Sequence, residues 1–190
     1  MVRIAIVLGS TRPGRAGKAV ADWVYEQATK RSDAQFELVD VADFGLPLLD
    51  EPRPPSRGQY RNEHTKAWAE VIGSFDGYVF VTGEYNHSVP GALKNAVDYL
   101  YAEWTNKAVG FVSYGSAGGT RAVEHLRQIA GELQMADVRA QVALPLATEF
   151  EKYTTFTPSP RAVQGLGPVF DQVIAWAGAL KTLRPVKEDG

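Results

Sequence analysis

Three short stretches of this 190-residue chain carry more chemistry than a packed core requires. The first follows an apolar run and reads Gly9-Ser10-Thr11-Arg12-Pro13-Gly14-Arg15-Ala16-Gly17-Lys18. Small hydroxyls, glycines and cations between a strand and a helix suit a phosphate group. The free N–H groups and partial positive charge at a helix start attract the anion. Ser10 and Thr11 can donate hydrogen bonds, and Arg12 or Arg15 can pair with two phosphate oxygens at once. A βα turn that needs Gly and Ser only for its geometry accounts for the same residues. The second stretch, Gly83-Glu84-Tyr85-Asn86-His87-Ser88-Val89-Pro90-Gly91, sets an acid, an aromatic, an amide and a hydroxyl before a helix. Asn86 or Ser88 can cap that helix, and Pro90 suits its first turn. Glu84 and Tyr85 exceed what capping asks, and suit a flat heteroaromatic ligand met by backbone N–H groups and an aromatic ring. The third, Ser113-Tyr114-Gly115-Ser116-Ala117-Gly118-Gly119-Thr120-Arg121, lets backbone approach a ring closely, or is simply a flexible turn.

Several chemistries are excluded by what is missing. Gly9 is followed by Gly14 and then Arg15, so no G-x-x-x-x-G-K-S/T loop can be fitted, and no G-x-G-x-x-G follows the first strand. A single terminal phosphate fits better than a pyrophosphate. Without cysteine there are no disulfides, thiolate metal sites or thiol nucleophiles. His64, His87 and His125 lack metal-ligand spacing, so no metal is expected. Ser10, Ser88, Ser113 and Ser116 are candidate nucleophiles, but no G-x-S-x-G elbow frames any of them. With no protein-borne reactive group evident, a cofactor is expected to do the chemistry, and no catalytic side chain is assigned. A net charge of −2 argues against nucleic acid as partner. The lack of a long apolar span or a signal-like start leads us to expect a cytoplasmic protein with no membrane partner.

The elements that must position these stretches follow from periodicity. Val2 to Leu8 reads as a strand buried on both faces. A helix carrying Val20, Trp23 and Val24 runs to about Lys30, and Phe36, Leu38 and Val39 form a second strand closing at Asp40. The segment from Asp43 to Tyr60, with four prolines, is too broken for regular structure. It is also too apolar, at Phe44, Leu46, Leu48 and Leu49, for a solvated loop. Packing on its own domain, rimming a site or meeting another subunit are its possible roles. Then come a helix (Arg61–Phe75), a strand (Tyr78–Thr82), a helix (Ala92–Tyr101), a strand (Ala108–Val112) and a helix bearing Val123, Leu126 and Leu133. Val138–Leu144 is strand five, Glu149–Pro160 an irregular link, and Val163–Leu183 the last helix. Residues after Arg184 are expected to fray. Alternating strands and helices predict one α/β domain over residues 1–190. Its doubly wound sheet has five parallel strands with helices on both faces. If their order is 2-1-3-4-5, the loops after strands one, three and four come together at the switch point.

Three patterns then carry a resemblance: Gly9-Ser10-x-Arg12, Glu84-Tyr85-Asn86-x-Ser88-Val89-Pro90-Gly91-x-Leu93-Lys94-Asn95-Ala96-x-Asp98, and Gly118-Gly119-x-Arg121. Together they resemble the NADPH-dependent FMN reductase family of flavodoxin-like enzymes, whose relatives include azoreductases, quinone reductases and chromate reductases. The resemblance implies non-covalent FMN with its phosphate held by Ser10, Thr11, Arg12, Arg15, Gly17 and Lys18. It implies the isoalloxazine lying between Glu84, Tyr85 and Asn86 on one side and Tyr114, Gly115, Ser116 and Gly118 on another. NADPH or NADH is the implied electron donor, and a flavin, quinone, azo compound or similar small molecule the acceptor. A flavodoxin-type carrier, holding FMN without pyridine-nucleotide turnover, is the alternative. Two departures from the family pattern stand out: Gly83 stands where a proline is common, and Gly17 and Lys18 where a serine and an asparagine are frequent. Charge on Arg15 or Lys18 would compensate for the latter. The resemblance further implies a homodimer or homotetramer, for which Phe44 to Leu49 and the Trp104 region would supply apolar surface.

Overall fold

In chain order the strands are β1 (Val2–Leu8), β2 (Ala34–Asp40), β3 (Gly77–Gly83), β4 (Ala108–Gly115) and β5 (Ala136–Pro145). The computed structural model describes residues 1–184, so the fraying expected of the tail falls on 185–190, outside the described residues. β3 and β4 are buried along their whole length, and β1 from Ile4 onward. That is why these three read as continuous apolar runs, rich in β-branched and aromatic residues. All neighbours pair in parallel, in the order β2-β1-β3-β4-β5. Leu8 stands opposite Asp40 on one side and Val81 on the other, and Gly83 opposite Tyr114.

The pleat divides each central strand between two cores. Ile4, Ile6 and Leu8 face α1 (Gly17–Ala28) and the long C-terminal helix Pro160–Leu180, meeting Val20, Val24, Leu166, Val169 and Val173. Ala5 and Val7 face the opposite way, toward α2 (Glu63–Gly73), α3 (Gly91–Asp98) and α4 (Thr120–Glu132), through Trp68, Ile72, Leu93, Val97, Val123 and Leu126. The flavodoxin-like order and helices on both faces are therefore as the sequence predicts.

Two expectations need correction, and one choice left open is answered. The link before the last helix is ordered. It holds a short helix, α5 (Leu146–Glu149), and a hairpin of β6 (Phe150–Glu151) and β7 (Thr155–Phe156), after which the last helix is α6. The hairpin turns through Lys152 and Tyr153 at φ 51° and 61°, without the glycine that normally announces such a turn. Phe150 and Phe156 pack together, and Phe156 meets Trp23 edge-on at 5.3 Å. The proline-rich segment contains 3-10 turns at Val41–Phe44 and Pro55–Arg57, and it is fastened to its own domain. Asn95 donates to the Pro47 carbonyl (2.7 Å) and accepts from the Leu49 N–H (2.9 Å), while the Tyr99 hydroxyl meets Asp50 at 3.0 Å. Leu48 nonetheless remains 85% exposed. Trp104 offers no surface to a partner: it is fully buried against Trp68, Tyr78 and Phe80, and its indole N–H donates to the Val97 carbonyl at 3.1 Å.

Candidate functional site

Strand order reverses beside β1, because the chain passes from β1 outward to β2 and then returns to β3 on the other side. The loops leaving β1, β3 and β4 consequently share one edge of the sheet, where α/β proteins bind ligands. The Gly9 N–H still bonds the Val81 carbonyl (3.0 Å), so the first loop begins flush against β3. A side chain at Gly9 would lie 2.7 Å from Leu93 of α3, which accounts for the glycine that ends β1.

The first loop divides into buried and open halves. Ser10 is fully buried, its hydroxyl 3.2 Å from that of Tyr85 and hydrogen-bonded to Tyr114. Thr11 and Arg12 are exposed, and Arg12 makes no ion pair among the described residues. α1 then starts from Ala16 with no side-chain cap and no acidic residue in its first turn. Its leading N–H groups and dipole are left for an external anion. Gly17 is required here by contact: a Cβ would sit 2.4 Å from the Tyr114 hydroxyl. The two cations proposed to compensate at this loop are already engaged. Lys18 pairs with Asp22 one turn along the helix (2.7 Å). Arg15 forms a two-pronged pair with Asp40, the last residue of β2, and also donates to the Ser10 carbonyl.

The second loop is a tight hairpin-like turn. Tyr85 and Ser88 exchange backbone hydrogen bonds (2.9 and 3.1 Å) across Asn86 and His87, both in the left-handed region at φ 48° and 73°. Neither Asn86 nor Ser88 caps α3, whose N-cap is Pro90, because the turn directs them elsewhere. The Ser88 hydroxyl meets His125 Nδ1 at 2.8 Å instead. Tyr85, 39% exposed, spans back to Ser10. Glu84 reaches the opposite way. Its side chain is 5% exposed, pairs with the Arg121 guanidinium, and accepts from the Arg121 N–H (3.1 Å) and the Ala122 N–H. Burial disfavours its ionised form, but Arg121 and the two backbone N–H groups outweigh burial and hold the carboxyl below its ordinary range.

The third loop is held by Ser113, whose hydroxyl donates to the Gly118 carbonyl (2.7 Å). Gly118 and Gly119 take φ of 70° and 73°, and a Cβ on Gly119 would fall 2.9 Å from the Tyr114 backbone. The turn from Gly115 to Gly118 closes at 3.0 Å and leaves Ser116 and Ala117 exposed. Tyr114 lies underneath, 7% exposed, between Gly17 and Gly83. Burial pushes its phenol above the ordinary tyrosine value, so it is a neutral floor to the crevice.

Sequence reasoning missed Asp40 and the Glu84–Arg121 pair. One signal was available for Asp40: a carboxylate ending β2 must, in the order 2-1-3, stand beside the loop after β1. A separate cavity of about 960 Å³ is lined by Arg3, Asp76, Glu103, Lys107 and Arg184 at the other end of the sheet. Its polar groups are engaged with one another, Arg184 and Lys181 on Asp76 (2.6 and 3.2 Å) and Lys107 on the Ile72 and Gly73 carbonyls.

An open helix end for one phosphate, beside two loops suited to a flat ring, fits FMN. The family model of the NADPH-dependent FMN reductases matches residues 2–149, spanning β1 through the end of α5. The chain belongs to the NADPH-dependent FMN reductase family. The reductase is 38% identical over 199 residues to the NAD(P)H-dependent FMN reductase ntnL of a Nectria species, covering 99% of this chain and 96% of that one. It is 36% identical over 134 residues to a quinone reductase of Escherichia coli, covering 67% of this chain and 69% of that one. Among solved structures it resembles FerB, a flavoenzyme NAD(P)H:(acceptor) oxidoreductase from Paracoccus denitrificans. That likeness, with a TM-score of 0.72 at 20% identity and coverage of 94% and 98%, shows the shared fold. As a family member this reductase is an oxidoreductase that uses FMN and NAD(P)H.

Proposed function

We propose that the enzyme takes electrons from NAD(P)H onto FMN held in this crevice and delivers them to a quinone, flavin, azo compound or similar small acceptor. The observation carrying this reading is the uncapped N-terminus of α1, with exposed Thr11 and unpaired Arg12 at its mouth. It is an anion site adjoining a crevice floored by Tyr114 and flanked by Tyr85 and the Gly115–Gly118 turn. When bound, FMN supplies the two-electron chemistry that no side chain here can. The α1 N–H groups, Thr11 and Arg12 anchor the phosphate, and Ser10 acts from below by orienting Tyr85. Gly17 and Gly83 leave room for the Tyr114 ring that floors the crevice, and Gly118 lets its turn lie close against Ala143 of β5. Glu84 and Gly115 shape the two walls, and Asn86 and Ser116 stand at their exposed tips. Hydride transfer needs alignment rather than a side-chain acid or base, so ping-pong turnover with both substrates using one open face is the expected kinetic form.

A quinone among these acceptors draws support from the relative named as a quinone reductase. A homodimer or homotetramer is proposed from the exposed Leu48 and Leu49 beside α3. Among the described residues no helix is long and apolar enough to cross a membrane, and we propose a cytoplasmic location. The test is an anaerobic visible spectrum of the protein supplied with FMN, before and after NADPH. Flavin bands that bleach rapidly, and recover on adding a quinone, support the reading. Flavin that bleaches with dithionite but with neither NADPH nor NADH points to an electron carrier. A protein that binds no flavin overturns the site itself.

A further inference from the structure

We infer that Arg15 and Asp40 form a strut that positions the phosphate loop, so that Arg15 is a positioning residue rather than an anion contact. The inference deepens the proposed FMN site and rests on it. Both partners are largely withdrawn from solvent, with side chains 16% and 14% exposed. The guanidinium lies in a fork on the two Asp40 oxygens (Nη1 to Oδ1, 2.9 Å; Nη2 to Oδ2), and Nη1 also donates to the Ser10 carbonyl. This is the strong, directional geometry in which arginine and lysine cannot be exchanged. Asp40 is itself anchored at both ends of its reach. Its backbone closes β2 opposite Leu8, and Oδ1 accepts from the Ala42 N–H at 2.9 Å.

The joint therefore ties three parts together: the end of β2, the peptide after Ser10 and the residue just ahead of α1. In a trans peptide the C=O and the following N–H point in opposite directions. With the Ser10 carbonyl held toward Arg15, the Thr11 N–H is turned away from the ion pair and remains a donor for the loop's ligand. The positive charge of Arg15 is matched by Asp40, whereas Arg12 of the same loop has no such match among the described residues. Attraction of the phosphate thus falls to Arg12 and the α1 N-terminus, and alignment of the loop to the strut.

The test compares dissociation constants of FMN and riboflavin, by flavin fluorescence quenching, for wild type, Arg15→Lys, Asp40→Asn and the double variant. Asp40→Asn is the deciding arm, because it keeps an acceptor for the Ala42 N–H while releasing Arg15. The strut requires both single variants to weaken FMN by about tenfold or more while riboflavin stays within about twofold. The double variant should be no worse than either single one, since one joint is lost in each case. If Asp40→Asn binds FMN as tightly as wild type or more tightly, Arg15 is itself the anion contact and the strut is overturned. Parallel losses for FMN and riboflavin with a lower melting temperature would reduce the pair to general stability, and also overturn it. Wild-type protein holding FMN no tighter than riboflavin would remove the phosphate site, a failure of the underlying reading that is visible before any variant is compared.

Discussion

Two helix ends on the same sheet edge make an instructive pair. α1 and α4 both begin after glycine-containing loops, both lack a side-chain cap from their own N-cap residue, and neither has an acidic residue in its first turn. They differ in what arrives from elsewhere. At α4 the Glu84 carboxylate comes in from the neighbouring loop, takes the Arg121 and Ala122 N–H groups and neutralises the Arg121 guanidinium. At α1 nothing arrives from among the described residues, and Arg15, the cation that could have drawn a carboxylate over the helix end, is turned aside onto Asp40. A helix start is an anion site where the fold omits the cap. Two loops of similar composition consequently differ in kind: one ends in an open helix start, the anion site of the proposed function, and the other is locked by a neighbouring carboxylate.

The largest expected effect is at the locked end. Gly119→Ala places a Cβ at φ 73°, 2.8 Å from the Ser113 side chain and 2.9 Å from the Tyr114 backbone. The strain and overpacking should cost about 3 kcal/mol in urea unfolding. Next, Glu84→Ala should cost about 2 kcal/mol by uncapping α4 and unpairing Arg121, with Glu84→Gln losing about half of that. Neither change should alter the preference for FMN over riboflavin. A shift in that preference would break the comparison by making the α4 end part of the anion site.

Acidification tests the same cap. Because the folded Glu84 carboxyl lies below its ordinary value, its contribution is fully present above about pH 4.3. It is lost as pH falls through the depressed folded value, so stability should decline on acidification. The Glu84→Gln variant should show a shallower decline in melting temperature measured from neutral pH downward.

Effects at the open end are smaller for the fold and larger for the ligand. Arg12→Ala should leave the melting temperature of the flavin-free protein unchanged. It should weaken FMN by about 1 kcal/mol, roughly fivefold, with a flatter dependence on salt. Lys18→Ala, removing an exposed helix pair, should change stability by less than about 0.5 kcal/mol and FMN affinity within about twofold. A large loss of FMN affinity from Lys18→Ala would mean that the lysine leaves Asp22 for the phosphate.

Legibility followed the range of the interactions. The continuous apolar runs of β1, β3 and β4 could be read directly, because burial on both faces leaves no room for polar residues. The 150–156 hairpin could not, since its turn residues Lys152 and Tyr153 carry no glycine signal and Phe150 and Phe156 declare themselves only by packing near Trp23. In the site, Ser10, Tyr85 and Tyr114 were legible as residues of the crevice. Their linkage through the Ser10 hydroxyl was not. Gly17 was legible as a glycine of the first loop, yet its spatial reason is the Tyr114 ring, 97 positions away in the chain.

Strand type, the alternation of strands with helices and the place of the three loops after strands one, three and four were determined by the sequence alone. Each depends on local patterning or on which residue types are present. Which arginine is free was decided only by the tertiary structure. Arg12, Arg15 and Arg121 are equivalent cations on paper, and the carboxylates that separate them come from elsewhere, Asp40 from the end of β2 and Glu84 from the loop after β3. A charge's availability is a property of its partners, and partners brought from distant strands exist only once the sheet has assembled.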